Sequence, residues 1–186
     1  MADDSDIDGL VKKVNAAVKD NKLDLSSDED LSIGIMNLIS IEEHLFFTAQ
    51  KTGKDSYYTL LNEVREMRKV LLKKIIKEYE GEVWCISKHL LAASMRMMEV
   101  GTKALTKGAK QEADEYFGRS YDLYAMFWAL NLGVVKVGDG TAKKAIAEFE
   151  KENYLMPSVP PSEEGKPGFM GKLRSVFQKA IDCCKE

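Results

Sequence analysis

Residues 31–76 read LSIGIMNLISIEEHLFFTAQKTGKDSYYTLLNEVREMRKVLLKKII. Leu31, Ile35, Leu38, Leu45 and Ala49 recur at steps of three, four and seven, the spacing of one helix face. Tyr57, Leu61, Val64, Leu71 and Ile75 repeat that spacing farther on. Gly53 lies between the two stripes, where a helix ends. A joint this short makes the two helices antiparallel neighbours. Each stripe carries one charged residue in its middle, Glu42 in the first and Arg68 in the second. Counted from a joint at residue 54, Glu42 lies 12 positions before it and Arg68 14 after it. The two side chains are therefore expected to face each other at nearly one level.

A carboxylate inside a core is costly alone and tolerable beside a guanidinium, which pairs with both its oxygens. The first expectation is a buried Glu42–Arg68 pair that sets helix register. The second is a small polar pocket for an anion or a small polar ligand. Tyr124, on the stripe of Ala113, Phe117, Ser120, Phe127 and Asn131, is expected to bring its hydroxyl to that pocket.

The rest of the chain extends this helical reading. All four prolines, Pro157, Pro160, Pro161 and Pro167, fall in one stretch, and the first 156 of the 186 residues have none. Proline breaks helix interiors, so that length is open to helix throughout. Periodicity predicts helices over about 5–20, 28–51, 55–80, 82–106, 109–131 and 141–154, with Ser26 or Ser27 capping the second. Residues 133–140, GVVKVGDG, read as irregular, with Val-Val-Lys-Val as a candidate extended piece. Residues 155–167 have linker composition, and 168–186 form a last amphipathic helix. The expected fold is all-α: an antiparallel up-down bundle of four core helices, with peripheral N-terminal and C-terminal helices, in a domain over residues 1–154.

Met98–Tyr124 looks like a single tetratricopeptide-type hairpin, through Val100-Gly101, Ala104, Gly108, Ala113, Phe117 and Ser120. The resemblance covers about one repeat, and no second copy follows at the period of about 34 residues that such arrays use. It implies a close helical hairpin, with Phe117 filling the groove between small residues, and nothing about peptide binding.

Composition narrows function by exclusion. A net charge of -3 lacks the basic excess of a dedicated nucleic-acid binder. No apolar run approaches the roughly 20 residues that span a bilayer. The start, Met1-Ala2-Asp3-Asp4, is acidic, unlike a secretory signal. Cys85, Cys183 and Cys184 make no disulfide framework, and the expected location is the cytoplasm. No phosphate loop, nucleophile elbow or zinc motif occurs.

Glu82, Cys85 and His89 share one helix face, a spacing compatible with a transition metal. Glu43 and His44 add a further carboxylate and imidazole. No glutamate lies three residues before either histidine, so the carboxylate-bridged di-metal pattern is missing. The same face carries Arg96, Glu99 and Lys103, which favours a solvated surface; no cofactor is the leading expectation. Met95, Met97 and Met98, beside Trp84, Leu91 and Leu105, are read as core filling, with a partner groove as the second reading.

The C-terminal face of Phe169, Leu173, Val176, Phe177 and Ile181 is the most interaction-like element. It is expected to complete the bundle's own core, to bind a partner or swap into a second subunit, or, least favoured for want of Trp and strong basicity, to lie on a membrane surface. The leading functional expectation is a non-enzymatic helical interaction or scaffold protein with this helix as its docking or oligomerisation element. The alternative is a small-ligand- or metal-binding bundle.

Overall fold

The structure is a computed structural model that describes residues 25–76 and 81–135, together with positions 9, 12–14, 16, 171, 173, 174, 176 and 177. Four helices follow one another: α1 (Leu25–Thr52), α2 (Ser56–Ile75), α3 (Glu82–Thr106) and α4 (Lys110–Asn131). No strand occurs among the described residues. The expected helix over 141–154 and the linker over 155–167 lie outside them.

Two antiparallel hairpins organise these helices. Gly53 (φ 66°) ends α1 and Gly108 (φ 77°) ends α3, both in the left-handed region that glycine enters without strain. The Gly53 N–H donates to Ala49 O at 2.8 Å, and the Ala109 N–H reaches back to Ala104 O at 3.0 Å. Helix α1 packs along α2, and α3 along α4; contact between α1 and α3 is much sparser.

Several boundaries differ from the sequence reading. Helix α1 begins at Leu25, so positions 26 and 27 lie within its first turn, past the N-cap position. Helix α2 stops at Ile75, where Ile76 turns extended (φ -85°, ψ 112°). Both isoleucines are buried. Successive residues on a continuing helix point about 100° apart, so ending the helix lets Ile76 join Ile75 inside. Val134 and Val135 fold back onto the end of α4, both N–H groups donating to Ala129 O at 2.9 and 3.1 Å. They form a turn, in keeping with an irregular stretch; the rest of the candidate extended piece falls in residues 136–140, which lie outside the described chain.

The core sits at the end away from Gly53 and Gly108. Ile35 and Met36 enter it from α1, Leu72, Ile75 and Ile76 from the end of α2, Leu91 from α3, and Tyr124, Ala125, Phe127, Trp128, Ala129 and Leu132 from the end of α4. Val14 joins from the N-terminal segment, and Leu173, Val176 and Phe177 join from the C-terminal one. Each large side chain buried this way contributes roughly 1.5–3 kcal/mol of transfer free energy. Toward the turns each hairpin packs mainly on itself through small residues, Ala49 in one and Gly101, Ala104 and Ala113 in the other. Phe46, Phe47, Leu60 and Leu105 are left exposed there.

Candidate functional site

The α3–α4 hairpin has the close packing that its repeat-like pattern implies. A Cβ placed on Gly101 would lie 2.7 Å from the ring of Phe117, so only glycine admits that ring without a shift. Toward the core, two turns before Gly101 and one turn after Phe117, Ser94 Oγ donates to Ser120 O at 2.8 Å and Ser120 Oγ donates to Ser94 O at 2.7 Å. This reciprocal pair satisfies two hydroxyls in a tight apolar contact.

Beside that contact an apolar groove of about 320 Å³ opens between α1, α3 and α4. Ile33 and Met36 line it from α1, Ser94, Met95 and Met98 from α3, and Phe117, Ser120, Tyr121 and Tyr124 from α4. Met98 is 41 % exposed, whereas Leu91, on the same strip two turns earlier, is fully buried. The methionine strip thus leaves the core and becomes a surface. Periodicity placed these residues on one strip. It did not show that contact between α1 and α3 is sparse and that part of the strip stays exposed.

Tyr124 closes the core end of the groove. Ser32 Oγ donates to Glu29 O at 2.7 Å, which leaves the Tyr124 hydroxyl to donate to Ser32 Oγ at 2.6 Å. Burial pushes the Tyr124 hydroxyl up to about 12, outweighing the opposing effect of its contact with Ser32. Burial, aided by the neighbouring Asp30 charge, also raises Glu29 above the usual carboxylate range. The sequence reading had sent Tyr124 to the Glu42–Arg68 pair. Ser32 lies ten residues before Glu42 on α1, a separation of roughly 15 Å along the helix axis. The three residues therefore do not share one cluster.

Glu42 and Arg68 do face each other across α1 and α2. Arg68 Nε donates to Glu42 Oε1 at 2.7 Å and Arg68 Nη2 to Oε2 at 2.9 Å. With side-chain exposures of 5 % for Arg68 and 17 % for Glu42, the pair is largely withdrawn from water. Each group's charge is answered by the other, so the fork is filled by the protein's own carboxylate.

A second charged group joins the hairpins. Arg96 donates one arm to Glu43 of α1 and the other to Glu99 of its own helix. One guanidinium serves two carboxylates there.

Glu82, Cys85 and His89 lie exposed on α3. No group of three or more His, Cys, Asp or Glu side chains among the described residues is placed to hold a metal ion. Glu43, the carboxylate added to that set, is occupied by Arg96. Its neighbour His44 is exposed.

Of the C-terminal face, Leu173, Val176 and Phe177 are buried in this chain's own core; Phe169 and Ile181 lie outside the described residues. Arg174 fixes the segment to α4. Its Nε and Nη2 donate to Asp122 Oδ1 at 2.9 and 2.6 Å, and Nη2 also donates to Gly118 O at 2.9 Å. The guanidinium lies directly over Gly118, where a Cβ would sit 3.3 Å from Nη2. Periodicity identified the apolar tail face, but Asp122 and Gly118 carry no local sign of receiving it.

No helix among the described residues is long and apolar enough to cross a membrane. No protein-family model, curated protein or solved structure matches the chain.

Proposed function

We propose that the protein is a non-enzymatic helical interaction or scaffold protein, an up-down arrangement of four helices that receives a partner in the groove between α1, α3 and α4. The observation that carries this reading is the open wall of Ile33, Met36, Met95, Met98, Phe117 and Tyr121. Methionine and aromatic side chains repack around varied apolar surfaces, which suits a recognition face. The C-terminal segment is the chain's own docking element in this reading: its apolar face and Arg174 bind α4 beside the groove.

A photoreactive amino acid at Met98 tests the proposal in cells. A discrete crosslinked product is expected at that position and not at Glu63, which is exposed on α2. Equal labelling at both positions, or none at Met98, would overturn it. The alternative, a small polar ligand at Glu42 and Arg68, is less supported because those two groups already satisfy each other.

A further inference from the structure

We infer that the end of the bundle carrying both hairpin turns docks on the surface of an anionic lipid bilayer. This end is separate from the groove. Ile35 of α1 and Leu91 of α3 share the core, and farther along the same two helices Glu43 meets Arg96. The two helices therefore run in one direction. Beyond that bridge α1 continues for nine residues and α3 for ten, roughly 14 and 15 Å of helix. The turns at Gly53 and Gly108 thus stand at nearly one level, as two prongs that meet a plane together.

The prongs are positively charged. Lys51 and Lys54 flank Gly53, and Lys103, Lys107 and Lys110 surround Gly108. All five lysines are exposed, and none makes an ion pair among the described residues. The acids within the same turns are Asp55 and Glu112. One turn farther back, Asp114 follows Lys110 by four residues and offsets it, while Glu99 and Glu115 are taken by Arg96 and Arg119. Glu63 lies two turns into α2. Lys51, Lys54, Lys103 and Lys107 are left against two acids, so the outermost turns are positive on a chain whose net charge is -3.

Apolar side chains stand among these charges. Phe47 is 59 % exposed and Leu105 51 %, with Phe46 and Leu60 nearly as open. The rings of Phe46 and Phe47 meet edge to face at 5.2 Å and form one aromatic wedge. All four lie within roughly 10 Å of their turn along the helix, the depth to which an interfacial element enters the boundary between head groups and acyl chains. A bilayer surface offers anionic groups to the lysines and hydrocarbon to the apolar side chains at once, and it is flat enough to take both prongs. A nucleic acid would answer the lysines and leave Leu60 and Leu105 in water.

The test mixes the full chain with sucrose-loaded vesicles and measures the fraction that sediments. Vesicles of phosphatidylcholine with about 30 % phosphatidylserine should bind at least about tenfold more tightly than phosphatidylcholine alone, and binding should weaken as salt rises. Lys54→Glu with Lys107→Glu should weaken binding about tenfold or more. Phe47→Ser with Leu105→Ser should also weaken it about tenfold, with the salt dependence kept. Lys12→Glu with Lys13→Glu, the same change of charge beside Val14 at the core end, should leave binding nearly unchanged. Thermal melts of all three variants should match the parent chain, because every substituted residue is exposed. Failure to sediment with the anionic vesicles, equal binding to both vesicles, or an equal loss in the Lys12 and Lys13 variant would overturn the proposal. Full vesicle binding by the Phe47 and Leu105 variant, together with single-stranded RNA binding that the Lys54 and Lys107 variant loses, would make the anion a nucleic acid and overturn it as well. None of these outcomes bears on the crosslink at Met98.

Discussion

Arg68 of α2 forks onto both carboxylate oxygens of Glu42 of α1, at 2.7 and 2.9 Å, inside the hairpin that Gly53 closes. The pair occupies the middle of two apolar stripes, so a shift of either helix by one residue would bury each charge against carbon. Its effect is best described as specifying register, since an apolar pair of similar volume packs at least as well.

Removing one partner should therefore cost more than removing both. Arg68→Met or Glu42→Leu alone is expected to lower stability by about 3 kcal/mol, because the remaining charge stays withdrawn from water. The double variant should lose less than about 1 kcal/mol. Urea unfolding of the four proteins gives the coupling directly. Additive losses would show that the two groups do not act as a pair.

Gly101→Ala is expected to destabilise the chain by about 1 kcal/mol even though alanine is the better helix former by roughly that amount. The new methyl would meet the Phe117 ring at 2.7 Å, and overpacking of this kind typically costs about 1–3 kcal/mol. Phe117→Leu in the same chain should recover part of the loss. Thermal melts of the single and double variants distinguish this from a simple propensity effect, which would raise Tm in Gly101→Ala.

The C-terminal segment should behave as part of the fold. Phe177 is 1 % exposed, and Phe177→Ala is expected to cost about 3–5 kcal/mol. Arg174→Gln should cost about 1 kcal/mol, less because its side chain is 37 % exposed. Hydrogen exchange should then show weakened protection in α4 around Gly118 and Asp122 before it weakens in α2. Unchanged stability of Phe177→Ala would mean that the segment does not dock on its own bundle in solution.

Two groups predict opposite ends of the pH profile. Burial raises Asp122 above its ordinary value of 3.8, although Arg174 acts against the rise. The folded state then holds that proton more tightly than the unfolded chain. This group's contribution to stability falls as pH climbs from about 3.8 through its raised folded value, and is level beyond it. Asp122→Asn should flatten that acid-side slope. Tyr124, pushed up to about 12, should ionise well above the ordinary tyrosine value of 10, and stability should fall as pH rises from 10 toward 12. Tyr124→Phe should remove the late ultraviolet transition and cost about 1 kcal/mol at neutral pH.

The sequence by itself determined the helices and the first hairpin's register. Period and turn chemistry are local, so α3 was legible as residues 82–106 and the α1–α2 joint was legible at Gly53. Even the Glu42–Arg68 pairing follows from counting residues on either side of one short turn. Helix ends were less legible: α2 stops at Ile75 because the core takes Ile76 from a different direction, which no local signal states. Only the tertiary structure decided how one hairpin sits against the other. Periodicity gives each side chain an angle about its own helix and says nothing about the distance to a helix that is not its neighbour in sequence. That distance separates Tyr124 from Glu42 and seats the C-terminal segment on Asp122. It also leaves Met98 on an open wall while Leu91, on the same strip, is closed in the core.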